Sequence, residues 1–128
     1  MSIPSDLRFA PTHEWVRLHE DGTATIGITQ YAQDHLGELV YVELPEAARS
    51  LAAGEACAVV ESTKAASDVY APVSGEVIEV NPELGAAPQT VNEEPYDSGW
   101  LFRMRVSDAS QLDALMDASA YADHVAAQ

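Results

Sequence analysis

Lysine, cysteine and long apolar runs are scarce in this chain, and each shortage excludes a class of protein. Cys57 is the one cysteine in 128 residues, so the chain has neither an internal disulfide nor a Cys-X-X-Cys zinc or redox framework. It lies in an apolar run and is interpreted as a small strand residue. No apolar run approaches the length of a membrane span, which argues against a membrane protein.

Basic residues are also few. The chain has 6 Lys and Arg against 21 Asp and Glu, a formal net charge of −15. This charge argues against nucleic acid and anionic membranes as partners. It suits partners with basic faces, although it also fits a role in solubility alone. His13 and His19 lack zinc-motif spacing, so no metal site is predicted.

The amino terminus has no apolar signal core. Residues 1–10 contain one Arg and one Asp and do not form a convincing signal or transit peptide. We therefore expect a bacterial cytoplasmic protein, while a trimmed chain from the mitochondrial matrix would look the same. At this length we expect one domain over 1–128, with a core at about 9–106 and carboxy-terminal helices at about 108–126.

Lys64, the one lysine, lies at the centre of a predicted hairpin. The apolar run 56–60 and the shorter run 68–71 are strand candidates, and residues 61–67 between them are small and polar. Gly54 lies ten residues before Lys64 and Gly75 lies eleven after it. A lysine at such a tip is an exposed primary amine and a common target for acylation. An ordinary solvated lysine is the alternative, but a chain that used lysine for solubility would contain more than one.

Short strands separated by turn residues predict a mainly-β fold, a small sandwich or barrel, with two carboxy-terminal helices covering one side. Residues 1–8 are expected to form a loose arm. Thr29 is predicted to cap a helix that Gly37 ends. The other predicted strands are a hairpin at 13–28 and single strands at 39–44, 76–80 and 100–106; a short helix or a loop is predicted at 46–53 and an ordered loop at 83–99. The first carboxy-terminal helix is predicted to be capped by Ser107 or Asp108, with Leu112, Leu115 and Met116 on one face. The last helix is predicted to be capped by Ser119, with Tyr121 and Val125 one turn apart.

The glycine–lysine–glycine spacing resembles that of lipoyl and biotinyl carrier domains. Biotinyl carriers usually place methionine on both sides of the lysine, whereas Thr63 and Ala65 stand there in this chain. Nearly the whole chain is similar to one family, the H protein of the glycine cleavage system; the carboxy-terminal helices match least. The runs that carry the resemblance are 9–16 (FAPTHEWV), 27–33 (GITQYAQ), 36–45 (LGELVYVELP), 61–77 (ESTKAASDVYAPVSGEV), 91–96 (VNEEPY) and 99–101 (GWL).

This resemblance implies a hybrid barrel-sandwich fold and a lipoyl group amide-linked to Lys64, in a non-catalytic carrier. The arm would take an aminomethyl group from a pyridoxal-phosphate glycine decarboxylase (P protein) to a folate-dependent aminomethyltransferase (T protein). It would pass electrons to dihydrolipoyl dehydrogenase (L protein), after attachment by a lipoate ligase or lipoyltransferase to a monomer. The resemblance also implies a cleft for the cationic cargo, lined by Glu14 and Asp68 and, at less closely matching positions, by Thr12 and His35.

Other interpretations remain open at the level of sequence. Without the resemblance, Glu14 and Asp68 would be solvated strand carboxylates, and His35 an ordinary histidine at a helix end. Lys64 could instead form a Schiff base in an enzyme, but such lysines are normally desolvated and a hairpin tip is not. An H-like protein that relays lipoate to 2-oxoacid dehydrogenases would have the same sequence features.

Overall fold

A computed structural model describes residues 6–127 of the chain. Within that range the molecule is built mainly from short antiparallel strands. The strands are β1 (Arg8–Phe9), β2 (Glu14–Leu18), β3 (Thr23–Ile28), β4 (Leu39–Glu43), β5 (Ser50–Leu51), β6 (Ala56–Ser62), β7 (Ala66–Tyr70), β8 (Gly75–Val80) and β9 (Phe102–Val106). The α-helices are α1 (Gln30–Leu36), α2 (Thr90–Glu93) and α3 (Ala118–Ala126), and 3₁₀ helices span Pro82–Gly85 and Ala109–Ala114.

The strands form two sheets, as the mainly-β prediction requires. One sheet has six strands in the order β1-β2-β3-β9-β8-β5, and the other has three in the order β4-β6-β7. Ile26 and Met104 of the first sheet and Val60 and Val69 of the second are all buried in one apolar core. The two sheets therefore pack as a sandwich, and β4 and β7 are the edges of the smaller one.

The amino-terminal half follows local sequence signals closely. The predicted hairpin at 13–28 is present, with Trp15 paired to Gly27. Thr29 caps α1 by accepting a hydrogen bond from the Ala32 amide, as predicted. Gly37 ends α1 as predicted, at a φ of 86° that favours glycine. The direction in which α1 enters and leaves is thus set by two residues that the sequence alone identifies.

Two predictions about connecting segments are wrong, and two strand boundaries differ from those predicted. The segment 46–53 is neither helix nor plain loop, because Ser50–Leu51 forms β5 against β8. The segment 83–99 is not simply a loop, since it contains the end of a 3₁₀ helix and all of α2. The turn after β6 is shorter than predicted, because β6 continues to Ser62 and β7 begins at Ala66. The strand predicted at 100–106 begins at Phe102.

The carboxy-terminal segment also departs from its prediction. Asp108 caps a 3₁₀ helix rather than an α-helix, and Leu115 lies after its end in extended backbone. Met116 is outside any helix, because its backbone bridges to Phe9. The last helix is capped by Asp117 and not by Ser119.

This bridge to Phe9 also corrects the expectation of a loose amino-terminal arm for residues 6–8; residues 1–5 lie outside the described range. Leu7 is buried and β1 begins at Arg8. The Phe9 ring stacks on Tyr121 of α3, with centroids 4.6 Å apart. The two ends of the described chain therefore hold each other in place over Trp15, in a second apolar cluster.

Candidate functional site

The turn that carries Lys64 is built by one serine. The Ser62 hydroxyl accepts hydrogen bonds from the backbone amides of Lys64 at 3.3 Å and Ala65 at 3.2 Å. The Ser62 amide in turn donates to the Ala65 carbonyl at 2.8 Å. A serine side chain that satisfies amides two and three residues ahead stabilises a tight turn without glycine or proline. Lys64 is therefore held exposed at the hairpin tip, where it was predicted to be.

The Lys64 side chain lies against Gly37 at the end of α1. A Cβ placed on Gly37 would be 3.4 Å from Lys64 Cε, in van der Waals contact. Asn92 fixes this glycine, because its side-chain amide donates to the Gly37 carbonyl at 2.9 Å and to Gln33 Oε1 at 2.8 Å. Asn92 Oδ1 also accepts from the Leu39 amide. One asparagine on α2 thus joins α1 to β4 beneath the lysine.

Glu14 is buried, and this corrects the interpretation of it as a solvated carboxylate. It is 1% exposed at the start of β2. The Thr12 hydroxyl donates a hydrogen bond to Oε1, and the Tyr70 backbone amide of β7 donates to Oε2 at 3.1 Å. Burial raises the pKa of Glu14 to about 7, and these hydrogen bonds oppose that increase only in part. A carboxyl group with this pKa is close to half-ionised at neutral pH.

Asp68 lies on the same strand that supplies Tyr70. Both side chains belong to the same alternate set of β7, while Val69 between them points into the core. Asp68 is exposed, and among the residues that the structure describes its carboxylate has no hydrogen-bond or ion-pair partner. The structure therefore brings Thr12, Glu14 and β7 together and leaves the Asp68 carboxylate available to a ligand.

A cavity of about 410 Å³ lies beside this group. Thr12 and Tyr70 form part of its wall, together with mostly apolar neighbours: Ala10, Pro11, Ala71, Pro72 and Leu115. The two residues that hold Glu14 by hydrogen bonds are thus also cavity residues. An apolar group with a polar or cationic end could occupy the space and reach toward the carboxylate.

His35 is not part of that group. It is exposed on α1, its Nδ1 is 3.1 Å from the Tyr31 carbonyl oxygen, and its ring packs on the Tyr31 ring at 4.2 Å. Tyr31 in turn packs on His13, whose Nδ1 is 2.8 Å from the Tyr121 hydroxyl. The contacts of His35 therefore connect it to α3 and not to Glu14 or Thr12.

Several residues that shape the site were missed at the level of sequence. Ser62 has a local signal, because a serine two residues before a turn residue is typical of a side-chain-capped turn. Asn92 and Tyr70 have none, since their partners lie 53 or more residues away along the chain. A raised pKa for Glu14 could not be anticipated for the same reason.

Thiol reactivity, metal binding and membrane crossing have little support among the described residues. Burial raises the pKa of the Cys57 thiol to about 12, so this cysteine is unreactive near neutral pH. Residues 6–127 contain no group of three His, Cys, Asp or Glu side chains placed to hold a metal ion. Among the helices of that range, none has the length and apolar character needed to cross a bilayer.

A mainly-β sandwich that presents one lysine at the tip of a short hairpin has the architecture of a carrier domain of the lipoyl and biotinyl type. Comparison with known proteins specifies the class further. Residues 7–128 match the family profile described as Glycine cleavage H-protein. The chain therefore belongs to the glycine cleavage H-protein family.

Individual relatives agree with this assignment over nearly the full length. The chain is 53% identical over 126 residues to the glycine cleavage system H protein of Marinobacter nauticus, covering 98% of this chain and 97% of the relative. It is 56% identical over 122 residues to that of Shewanella denitrificans, covering 95% of each. The crystal structure of a glycine cleavage system H protein from Mycobacterium marinum superposes with a TM-score of 0.90 at 39% identity, over 97% of this chain and 99% of that one.

Proposed function

We propose that this chain is the lipoyl-bearing carrier of a glycine cleavage system, with the lipoyl group amide-linked to Lys64. The observation that supports this most strongly is a single lysine, exposed at the tip of a hairpin, in a chain of this family. The dithiolane of the bound group would supply reversible thiol–disulfide chemistry, which accepts an aminomethyl group and passes on two electrons. As a carrier subunit, the protein leaves bond-breaking steps to its partner enzymes.

The residues around Lys64 suit an amide-linked arm. Thr63, Ala65 and Ala66 are small and exposed, so an enzyme can approach the amine from the tip. The Gly37 surface against which the lysine stem lies has no side chain to displace. Lys64 forms no ion pair within the described residues, so acylation breaks none. Loss of its charge would change the net charge from −15 to −16.

Attachment requires an activated lipoyl donor from a ligase or transferase. The deprotonated Lys64 Nζ attacks the carbonyl carbon of a lipoyl adenylate, the new C–N bond forms, and the bond from that carbon to the phosphate oxygen breaks. AMP leaves with the electron pair of that bond, and the proton lost from nitrogen passes to a base of the enzyme or to water. Lys64 is the only side chain in the sequence with a primary amine, so the product has one acylated side chain.

We further propose that Glu14 and Asp68 receive the cationic amine of the cargo. Glu14 would accept a charge-assisted hydrogen bond, Thr12 would hold its carboxylate in place, and the neighbouring cavity would take the apolar part of the arm. Withdrawal into that cavity would keep the cargo from water between partners. The contacts of His35 give no support for placing it in the cargo site, so this part of the proposal rests on Glu14, Asp68 and Thr12.

In this role the chain takes the aminomethyl group from the pyridoxal-phosphate decarboxylase to the folate-dependent aminomethyltransferase. Dihydrolipoyl dehydrogenase then reoxidises the arm. The acidic surface suits partners with basic docking faces. Glycine–bicarbonate exchange with the cognate decarboxylase tests this assignment against a lipoyl relay to 2-oxoacid dehydrogenases, which would leave exchange inactive.

The attachment site is tested by intact mass and peptide mapping after incubation with lipoate ligase. We expect one lipoyl addition to the parent, on the peptide that contains Lys64, and none to Lys64→Arg, because arginine keeps the charge but is not acylated at neutral pH. Modification that persists in Lys64→Arg, or biotin in place of lipoyl, would contradict the proposal. Borohydride trapping of a carbonyl substrate would instead support a Schiff-base enzyme.

A further inference from the structure

Two neighbouring apolar side chains of β4 are exposed where a regular strand would bury one of them. Val40 is 53% exposed and Tyr41 is 51% exposed. The pairing of β4 with β6 shifts between Leu39 and Tyr41, so one extra residue is inserted there. A bulge of this kind interrupts the ladder and re-aims side chains, and bulges are frequent beside functional sites. Stability alone does not account for a bulge that leaves two large apolar groups in water.

The bulge lies next to the lysine hairpin. Leu39 pairs with Ser62 and Tyr41 with Glu61, and Lys64 follows Ser62 by two residues. With strands about 4.8 Å apart and a rise of about 3.3 Å per residue, the Tyr41 Cα lies roughly 11 Å from that of Lys64. Leu18 is the other large apolar side chain with high exposure in residues 6–127, at 52%, and it lies on the six-stranded sheet.

Carboxylates surround this apolar pair. Glu61 lies directly opposite Tyr41, and Glu43 follows Tyr41 by two residues, so both project from the same face of the sheet as Tyr41. Glu38 is exposed just before the strand. Within the described residues none of the three forms an ion pair; the arginines there pair with Asp6, Glu55, Glu79 and Glu76. We refer to Val40, Tyr41, Glu38, Glu43 and Glu61 as the β4 face.

We propose that the β4 face is the docking surface for the enzyme that attaches the lipoyl group to Lys64. This proposal rests on the proposed function. The complementary surface on that enzyme is an apolar recess for Tyr41 bordered by arginine and lysine side chains. An apolar centre with a charged rim is the usual arrangement of a specific protein interface, and buried tyrosines often dominate its affinity.

The reach of the lysine selects this occupant over the other partners. The bare amine extends from the hairpin only by its own four-carbon stem, so the attaching enzyme must bring its active site against the tip, and an interface of about 800 Å² per partner then covers the surface to roughly 16 Å around it. Enzymes that act on the finished arm meet its far end and can dock elsewhere. A surface roughly 11 Å from the Lys64 Cα, by the strand spacings above, is therefore one that the attaching enzyme contacts.

The test compares initial rates of lipoylation by a lipoate ligase over a range of carrier concentrations. The variant is the double substitution Val40→Thr with Tyr41→Thr, which keeps strand-favouring residues at both positions. We expect its KM to rise about ten-fold or more, as for loss of an interface anchor, with kcat within about two-fold. Leu18→Thr removes an equally exposed apolar side chain from the other sheet and should leave both constants unchanged.

A second variant retains the packing of the strand. Glu38→Gln with Glu43→Gln should raise KM several-fold at about 0.01 M salt, and the difference should shrink at about 0.15 M, where the screening length falls from roughly 30 to 8 Å. Urea unfolding of every variant identifies loss of fold. If the apolar variant does not fold, this charge variant alone decides, and an unchanged KM at low salt overturns the inference.

The outcomes separate the inference from the proposed function. A parent chain that the ligase does not lipoylate at Lys64 refutes both. A lipoylated parent with unchanged KM in both variants overturns the docking surface and leaves the carrier role intact. Normal lipoylation of the apolar variant with weaker exchange at the decarboxylase also overturns the inference, because the β4 face would then serve a partner of the finished arm.

Discussion

The substitution Glu14→Gln should raise the free energy of unfolding at alkaline pH and leave it unchanged at acid pH. The Glu14 carboxyl has its pKa raised from 4.5 to about 7 by burial. At 1.36 kcal/mol per unit, holding this group ionised lowers the free energy of unfolding by about 3 kcal/mol once the pH exceeds the native pKa. Between pH 4.5 and 7 the native state binds more protons than the unfolded state, so stability falls as pH rises.

Glu14→Gln removes this dependence while preserving both hydrogen bonds. The amide oxygen can accept from the Tyr70 backbone amide, and the amide nitrogen can donate to the Thr12 hydroxyl, which rotates to accept. We therefore expect the variant to exceed the parent by up to about 3 kcal/mol at pH 8 and to match it near pH 4.

Urea unfolding, followed by tryptophan fluorescence at a series of pH values, measures the free energy of unfolding of the variant and of the parent. Asp68→Asn is the matched control, because it makes the corresponding carboxylate-to-amide change at an exposed position of the same site. Equal stability of Glu14→Gln and parent at pH 8, with the same slope between pH 4.5 and 7, would refute the account of Glu14 as a carboxylate destabilised by burial.

Two further predictions concern the cargo and the core. Glu14→Gln and Asp68→Asn should fold and accept lipoyl. Without the aminomethyltransferase, their aminomethyl-loaded arms should release formaldehyde roughly ten- to a hundred-fold faster than that of the parent, since a charge-assisted hydrogen bond contributes about 1.5–3 kcal/mol. Equal decay rates in variants and parent would show that neither carboxylate holds the cargo. Gly27→Ala should lower the free energy of unfolding by about 1–3 kcal/mol or more, because its Cβ would lie 2.5 Å from the buried Trp15 ring. Gly85→Ala, with open space around it, should be close to neutral, and an equal loss in both would contradict this reasoning.

What could be predicted from the sequence depends on how far apart the interacting residues lie. The boundaries of α1 were predictable because Thr29 and Gly37 act on amides and carbonyls within four residues. The two-residue strand β5 was not, since its pairing with β8 joins segments about 25 residues apart and leaves no periodic pattern. Met116 looked helical by its spacing from Leu112, yet its backbone bonds to Phe9 more than 100 residues away.

Whether a feature of the candidate site could be predicted also depends on the distance along the chain between the residues that form it. The position of Lys64 at a hairpin tip followed from the flanking apolar runs and was confirmed. The burial of Glu14 could not be predicted, because Tyr70, whose backbone amide donates to its carboxylate, lies 56 residues further on. The family resemblance identified Glu14 as a position of interest, but its raised pKa became apparent only from the packing.

The other five basic residues besides Lys64 are all arginine, and this affects which side chains can be acylated. Four of the five arginines are paired with carboxylates, so the protein retains cations where ion pairs use them. A guanidinium does not lose its proton in proteins and so offers no nucleophilic nitrogen to an activated acyl group. An acyl donor that escapes its enzyme therefore meets no competing side-chain amine anywhere on this surface. Competition between lysine side chains for the acyl group is prevented by the amino-acid composition itself, before any recognition takes place.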